Sequence, residues 1–232
     1  MEIVEFMEKH FPPDFKYQQF GSQLSAHFFN ATSWAELVAA SGAKYFVLTS
    51  KHHDGFANWP SARNFGWNSR DIGQKRDVVG ELAGHIMSHH VSGHIMDISD
   101  AFRSEGSVRF GLYHSLFEWY HPLYLADKEN NLTTRTFVSS KVLPELRDLV
   151  TRYQPDVLWS DGDWEAEPDY WDSLQFLSWL YSSSPVKESV VTNDRWGRGV
   201  LCKHGDFFTC SDRYNPGVLQ HHKWENAMTI DR

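Results

Sequence analysis

Apolar residues in this 232-residue chain come in short runs that end in polar clusters. Tyr45-Phe46-Val47-Leu48-Thr49 is one run, and it leads into Lys51-His52-His53-Asp54-Gly55-Phe56. Val108-Arg109-Phe110-Gly111-Leu112-Tyr113 is a second, ending in His114-Ser115 with Glu118-Trp119 beyond. Asp156-Val157-Leu158-Trp159 is a third, bounded by Pro155 and Gly162, with Asp161 and Asp163 at its end. Val190-Val191-Thr192 is a fourth and delivers Asn193-Asp194-Arg195-Trp196-Gly197. Runs of this length, rich in aromatic and branched side chains, read as buried strands. Between them the spacing becomes helical. Thr32 or Ser33 can cap a helix over 34–40, stopped by Gly42. A helix begins at Val78-Val79-Gly80-Glu81-Leu82. Residues 143–153 form an amphipathic helix with Pro144 near its first turn. Residues 170–180 read as one helix, ended by Ser182-Ser183-Ser184-Pro185. Residues 12–16 and 68–77 read as loops.

The order strand, polar strand end, helix repeats along the chain. That implies βαβ units and a parallel sheet, an α/β fold. Catalytic groups at the C-terminal ends of strands suit a (β/α)8 barrel. No Gly-x-Gly-x-x-Gly turn follows a strand, which argues against a doubly wound dinucleotide fold. One segment stands apart. Gly84-His85-Ile86-Met87 recurs as Gly93-His94-Ile95-Met96. An echo this short is no solenoid, and it reads as an inserted or duplicated segment over 84–98.

Composition changes this picture in two places. The net charge of -8 argues against nucleic acid as a partner, since phosphate binding needs a basic surface. No apolar run reaches the length of a membrane span, and the acidic start Met1-Glu2-Ile3-Val4-Glu5 has no signal-peptide core. The chain is rich in aromatics, with ten Trp, nine Tyr and sixteen Phe, which fits a carbohydrate site as well as a large core. Cys202 and Cys210 lie eight apart; they can pair in an oxidising compartment or remain two thiols. The sequons Asn30-Ala31-Thr32 and Asn131-Leu132-Thr133 make Asn30 and Asn131 candidate glycosylation sites.

The candidate chemistry centres on Asp161. A carboxylate among tryptophans suits sugars, because rings stack on the C–H face while the carboxylate attacks the anomeric carbon. The simpler reading is a helix-capping Asp. At the first strand end, adjacent His52 and His53 point to opposite sides of extended backbone. Only one faces a given pocket unless the strand bends, and Gly55 allows a bend. Neither His-x-His nor His-x-x-x-His spacing accompanies them, so no metal is expected.

Six motifs then converge: Lys51-His52-His53-Asp54-Gly55-Phe56, Asn58-Trp59-Pro60-Ser61, Gly111-Leu112-Tyr113-His114-Ser115, Trp159-Ser160-Asp161-Gly162-Asp163-Trp164, Asn193-Asp194-Arg195-Trp196-Gly197 and His222-Lys223-Trp224-Glu225. In this order they closely resemble the α-L-fucosidases of glycoside hydrolase family 29, animal lysosomal and secreted type, over nearly all of the chain outside 84–98. The resemblance implies a TIM-like (β/α)8 barrel followed by a β-sandwich. It implies a retaining exo-glycosidase, free of cofactors, that removes terminal α-L-fucose from glycoproteins, glycolipids or oligosaccharides through a fucosyl-enzyme intermediate. Asp161 matches the nucleophile. His52, His53, Tyr113, Trp159 and Arg195 match pocket residues, and Trp59, in a neighbouring matching motif, joins them as a substrate-binding candidate. Glu225 and Asp212 are the two candidates for the acid/base. The family's His-Trp-Gly strand end and Ser-Glu-Trp loop do not occur here. Residues 1–232 are therefore expected to form a partial catalytic domain, an incomplete barrel without its first βα unit, its closing units or the β-sandwich. The alternative is an inactive fragment or a fucose-binding relative. Fucosylated glycans are the expected partners, with no membrane. The resemblance is compatible with a homo-oligomeric full-length protein and implies a lysosomal or secreted location.

Overall fold

A computed structural model describes residues 3–88 and 108–229. Four strands make one parallel sheet in the order β1 (Tyr45–Lys51), β2 (Arg109–Ser115), β3 (Val157–Asp161) and β4 (Val191–Thr192). All four expected strands are present, within a few residues of their expected ends. Seven α-helices are described: α1 (Ile3–His10), α2 (Ala31–Ala40), α3 (Val78–Ser88), α4 (Pro122–Glu129), α5 (Leu143–Tyr153), α6 (Pro168–Trp171) and α7 (Ser173–Ser183). The α/β expectation holds. Four parallel strands do not close into a barrel, which needs eight; among the described residues the sheet is open.

In-register neighbours of a parallel sheet share a face, and the faces alternate along each strand. Leu48, Leu112 and Leu158 fall on one face, and Tyr113 pairs with Trp159 on the other. Phe110, Leu112 and Leu158 belong to one buried cluster with Val79 and Leu82 of α3, Leu146 and Leu149 of α5, and Phe176 and Leu180 of α7. The opposite face carries Tyr113, Ser115, Trp159 and Asp161. β1 departs from this alternation. Thr49 pairs with Tyr113 and Lys51 with His114, so Ser50 is an extra residue, a bulge. Its hydroxyl donates to the Tyr113 carbonyl at 2.6 Å. The bulge turns Lys51 to the helix face.

Several local expectations change. Helix α2 is capped by Asn30, whose Oδ1 accepts from the Ser33 N–H at 3.0 Å, not by Thr32 or Ser33. The single helix expected over 170–180 is two, because Asp172 adopts a left-handed conformation (φ 55°) between α6 and α7. Helix α1 was not signalled, and it buries none of its residues. Residues 84–88 continue α3, while the rest of the expected 84–98 insertion, including the second Gly-His-Ile-Met, lies outside the described residues. Asn30 and Asn131 are both exposed.

β4 is only two residues long, and the side chain of Asn193 extends its pairing. Asn193 Oδ1 accepts from the Ser160 N–H at 3.0 Å and its Nδ2 donates to the Ser160 carbonyl at 2.8 Å. The chain beyond has no helix or strand among the described residues. It is pinned by the buried Asp194, whose carboxylate accepts from the backbone N–H of Cys202 (2.7 Å), Thr209 (3.0 Å) and Cys210 (3.3 Å). Cys202 and Cys210 are disulfide-bonded, which settles the pairing left open above.

Candidate active site

The C-terminal ends of β1 to β4 bring together side chains far apart in sequence. Asp161, the last residue of β3, is 7 % exposed. Its Oδ2 accepts from the Tyr113 hydroxyl at 2.6 Å, and its Oδ1 accepts from Arg195 Nη1 at 2.9 Å. His53 Nε2 lies 3.6 Å from Oδ2. Burial and the neighbouring Asp161 push the Tyr113 hydroxyl far above its usual range, so it stays protonated and donates. Burial first, and His52 next, push His53 down to about 4, so it is neutral near pH 7.

Both histidines are on the site side. The turn after β1 closes with a Gly55 N–H to His52 carbonyl bond at 3.0 Å, and Gly55 has φ +79°. The bend that glycine permits brings the His52 and His53 rings to 4.0 Å. His52 stacks parallel to Tyr113 at 5.5 Å, Tyr113 stacks on Trp159 at 5.3 Å, and His53 stacks on Phe117 at 4.5 Å. Trp119 and the half-exposed Trp164 stand edge-on or tilted around His53, making the aromatic wall the sequence suggested.

Arg195 is the hub. Beyond Asp161 it donates from Nε to Thr209 Oγ1 at 2.9 Å and from Nη2 to Asp212 Oδ1 at 2.7 Å. Its guanidinium lies over the Trp159 ring, 4.8 Å from the centroid. The planar fork reaches three acceptors and an aromatic face at once, which a lysine cannot do. Trp159 Nε1 donates to Glu225 Oε1 at 2.8 Å. Glu225 is held by backbone bonds between Phe208 and residues 223 and 225. Burial raises the Glu225 carboxyl above its usual range. Asp212 is 79 % exposed, its carboxylate engaged by Arg195.

Trp59 is not in this group. It is fully buried, and its indole donates to Asp148 Oδ2 of α5 at 3.0 Å. Its motif follows β1 closely in sequence, but the chain has crossed to the helix layer by then. The sequence reading missed Ser115, Thr209, Asp194 and the buried Lys51. Lys51, Ser115 and Asp194 lie within the motifs, but nothing in their spacing reveals these roles. Asp163, with both carboxylate oxygens buried and without a hydrogen-bond partner, is pushed up to about 6 by burial. Among the described residues, ring nitrogens of His52 and His53 and an Asp161 oxygen gather within 4.8 Å. Arg195 also pairs with that carboxylate, through Nη1 to Asp161 Oδ1. A concavity of about 1020 Å³ beside Pro168 and Trp179 contains none of these residues.

Gly162 fixes how Asp161 meets this wall. It has φ +82°, and a Cβ there would sit 2.6 Å from Phe117 Cδ1. Gly162→Ala is expected to cost about 1–3 kcal/mol from backbone strain and displacement of Phe117, read as a shift in the denaturation midpoint.

The sequence profile described as alpha-L-fucosidase matches residues 1–232. An alpha-L-fucosidase of Branchiostoma floridae is 55% identical over 230 residues, covering 99% of this chain and 48% of that protein. The human plasma alpha-L-fucosidase is 56% identical over 231 residues, 100% of this chain and 46% of the relative. A Thermotoga maritima alpha-fucosidase solved in complex with fucose superposes with a TM-score of 0.67 at 28% identity, over 95% of this chain and 46% of that one. The chain thus spans about half the length of the curated relatives it matches.

Proposed function

The chain belongs to the α-L-fucosidase family, and on that premise we propose that the site around Asp161 hydrolyses terminal α-L-fucose with retention of configuration. The observation that carries the reading is the convergence of Tyr113, Arg195 and His53 on one buried carboxylate at a strand end. Asp161 attacks the anomeric carbon. Arg195 and Tyr113 hold its oxygens in place, and the stacked rings of His52, Tyr113 and Trp159 frame the sugar. The inactive or merely binding alternative is not favoured by identities of this level to named fucosidases. The finer fold reading is a (β/α)8 barrel to which these four strands contribute, with 84–98 an insertion in a catalytic domain. Two exposed sequons and a disulfide support the secretory route to plasma or lysosome, and the substrates are fucosylated glycans.

A leaving group needs a proton, and a carboxyl with a raised pKa supplies it best. That favours Glu225 as acid/base. Asp212 is the second reading, favoured because one guanidinium bridges it to Asp161, as closely spaced carboxyls of a retaining enzyme require. Rates on aryl α-L-fucosides of differing leaving-group pKa decide. Glu225→Gln should slow poor leaving groups about a hundredfold while sparing activated ones, with azide restoring turnover. Selectivity in Asp212→Asn instead would transfer the role. The anomer first released, read by NMR, tests retention.

A further inference from the structure

The tautomer of His53 can be read from its neighbours, and it defines a further role that rests on the fucosidase reading. Ser115 Oγ lies 2.7 Å from the Phe117 carbonyl and 2.6 Å from His53 Nδ1, both buried. A carbonyl only accepts, so the single hydroxyl proton of Ser115 is committed to Phe117. Ser115 Oγ can then only accept from His53, and the proton must sit on Nδ1. A neutral imidazole with Nδ1–H has a bare lone pair on Nε2. That lone pair points to within 3.6 Å of Asp161 Oδ2. Asp161 does not need His53 as a donor, because Tyr113 and Arg195 already supply one bond to each of its oxygens. Two acceptors therefore converge on one point, and what fits between them is a donor. The charged and titratable groups facing His53 are His52 and Lys51 on its own segment, Asp161 on β3 and Glu165 beyond it. The two carboxylates favour a second proton, but burial first, with His52 and Lys51, outweighs them.

We propose that Ser115 is a positioning residue that locks His53 in the Nδ1–H form, so that Nε2 accepts a hydrogen bond from the sugar hydroxyl next to the carbon that Asp161 attacks. That hydroxyl, on C2, is the substrate donor nearest both acceptors. A bond there tightens as the ring flattens toward the oxocarbenium-like transition state. The phenyl ring of Phe117, stacked on His53, keeps the imidazole plane aligned with the Ser115 hydroxyl.

The test uses the full-length protein labelled with nitrogen-15 histidine, with His53 assigned by its loss in His53→Gln. Nitrogen shifts at neutral pH should show a protonated Nδ1 and a bare Nε2. Ser115→Ala should move the proton toward Nε2, while Ser115→Thr keeps the hydroxyl and the original tautomer. In parallel, Ser115→Ala should lower kcat/KM on an aryl α-L-fucoside about tenfold to a hundredfold, with little change on the 2-deoxy analogue. A wild-type His53 protonated on Nε2 overturns the proposal, even if Ser115→Ala does not fold. Equal losses on both substrates overturn it too. A protein that cleaves no fucoside sinks the proposed function alone, and the nitrogen shifts then still decide the Ser115 assignment.

Discussion

Asp161→Gly is expected to lower kcat on the order of ten-thousandfold or more, while fucose binding changes less than about tenfold. On the proposed mechanism, removing Asp161 removes the covalent step, so the large effect is expected on turnover. Binding is expected to survive because the other proposed pocket groups are anchored elsewhere. Arg195 keeps Thr209 and Asp212 as partners, and the stack of His52, Tyr113 and Trp159 does not involve the carboxylate. Tyr113 loses its acceptor, a cost in the ordinary range for a hydrogen bond. Azide added to the variant should occupy the vacated space and yield the fucosyl azide of opposite anomeric configuration. Calorimetry with fucose and single-turnover kinetics check the two halves. Near-normal kcat in the glycine variant would rule Asp161 out as nucleophile.

Lys51→Met is expected to destabilise the fold by about 3–5 kcal/mol, the cost of stranding a buried charge. Lys51 is fully buried, with Nζ 2.7 Å from Glu118 Oε1 and 3.0 Å from Glu145 Oε2. Lys141 completes the cluster at 3.1 Å from Glu145 and 3.3 Å from Glu118, so two cations face two anions. Ser61 adds a hydroxyl to Glu145 at 2.6 Å. Although burial alone would raise it, Lys51, His114 and Lys141 hold the Glu145 carboxyl well below its usual range. A depressed carboxyl contributes stability above its unfolded pKa, lost as pH falls through the folded value. Lys51 is raised, opposing its burial, and contributes below its unfolded pKa until pH rises through the folded value. The cluster therefore stabilises across the neutral window. Without Lys51 the remaining carboxylates must take up a proton, so the deficit of the variant should shrink on going from pH 7 to pH 5. Urea unfolding at both pH values measures this, and Lys51→Met combined with Glu145→Gln should recover part of the loss. A deficit under about 1 kcal/mol, the range of an exposed pair, would contradict the burial described. The cluster also bears on the site. Lys51 directly precedes the two histidines, and the Trp119 N–H, next to Glu118, donates to the His53 carbonyl at 2.7 Å.

The parallel sheet was legible because its strands are apolar runs with sharp polar ends, a signal that survives without any tertiary context. Asp161, Tyr113, Arg195 and the histidine pair were legible for the same reason, each lying at or just past such an end. Asp172 was not, since a left-handed residue inside an apolar helical pattern leaves no mark on the spacing. Trp59 was misplaced because adjacency to β1 in sequence says nothing about which layer an indole enters. Asn30 was read as a sequon when its oxygen also caps α2, and the two roles share one residue type. Ser115 could not have been singled out, because its role depends on a carbonyl two residues on and a ring 62 positions away.

The bulge at Ser50 makes β1 sensitive to length in an unusual way. Thr49 and Lys51 are two apart, and in a regular strand such residues look the same way. Here one looks toward the Asp161 side and the other into the charged cluster, because one residue does not count in the pairing. Losing Ser50 would leave Lys51 opposite His114, whereas losing any residue from 46 to 49 would exchange the facings of everything before it. A deletion at Ser50 is therefore expected to be tolerated, and a survey of single-residue deletions across 46–50 should leave a lone survivor there.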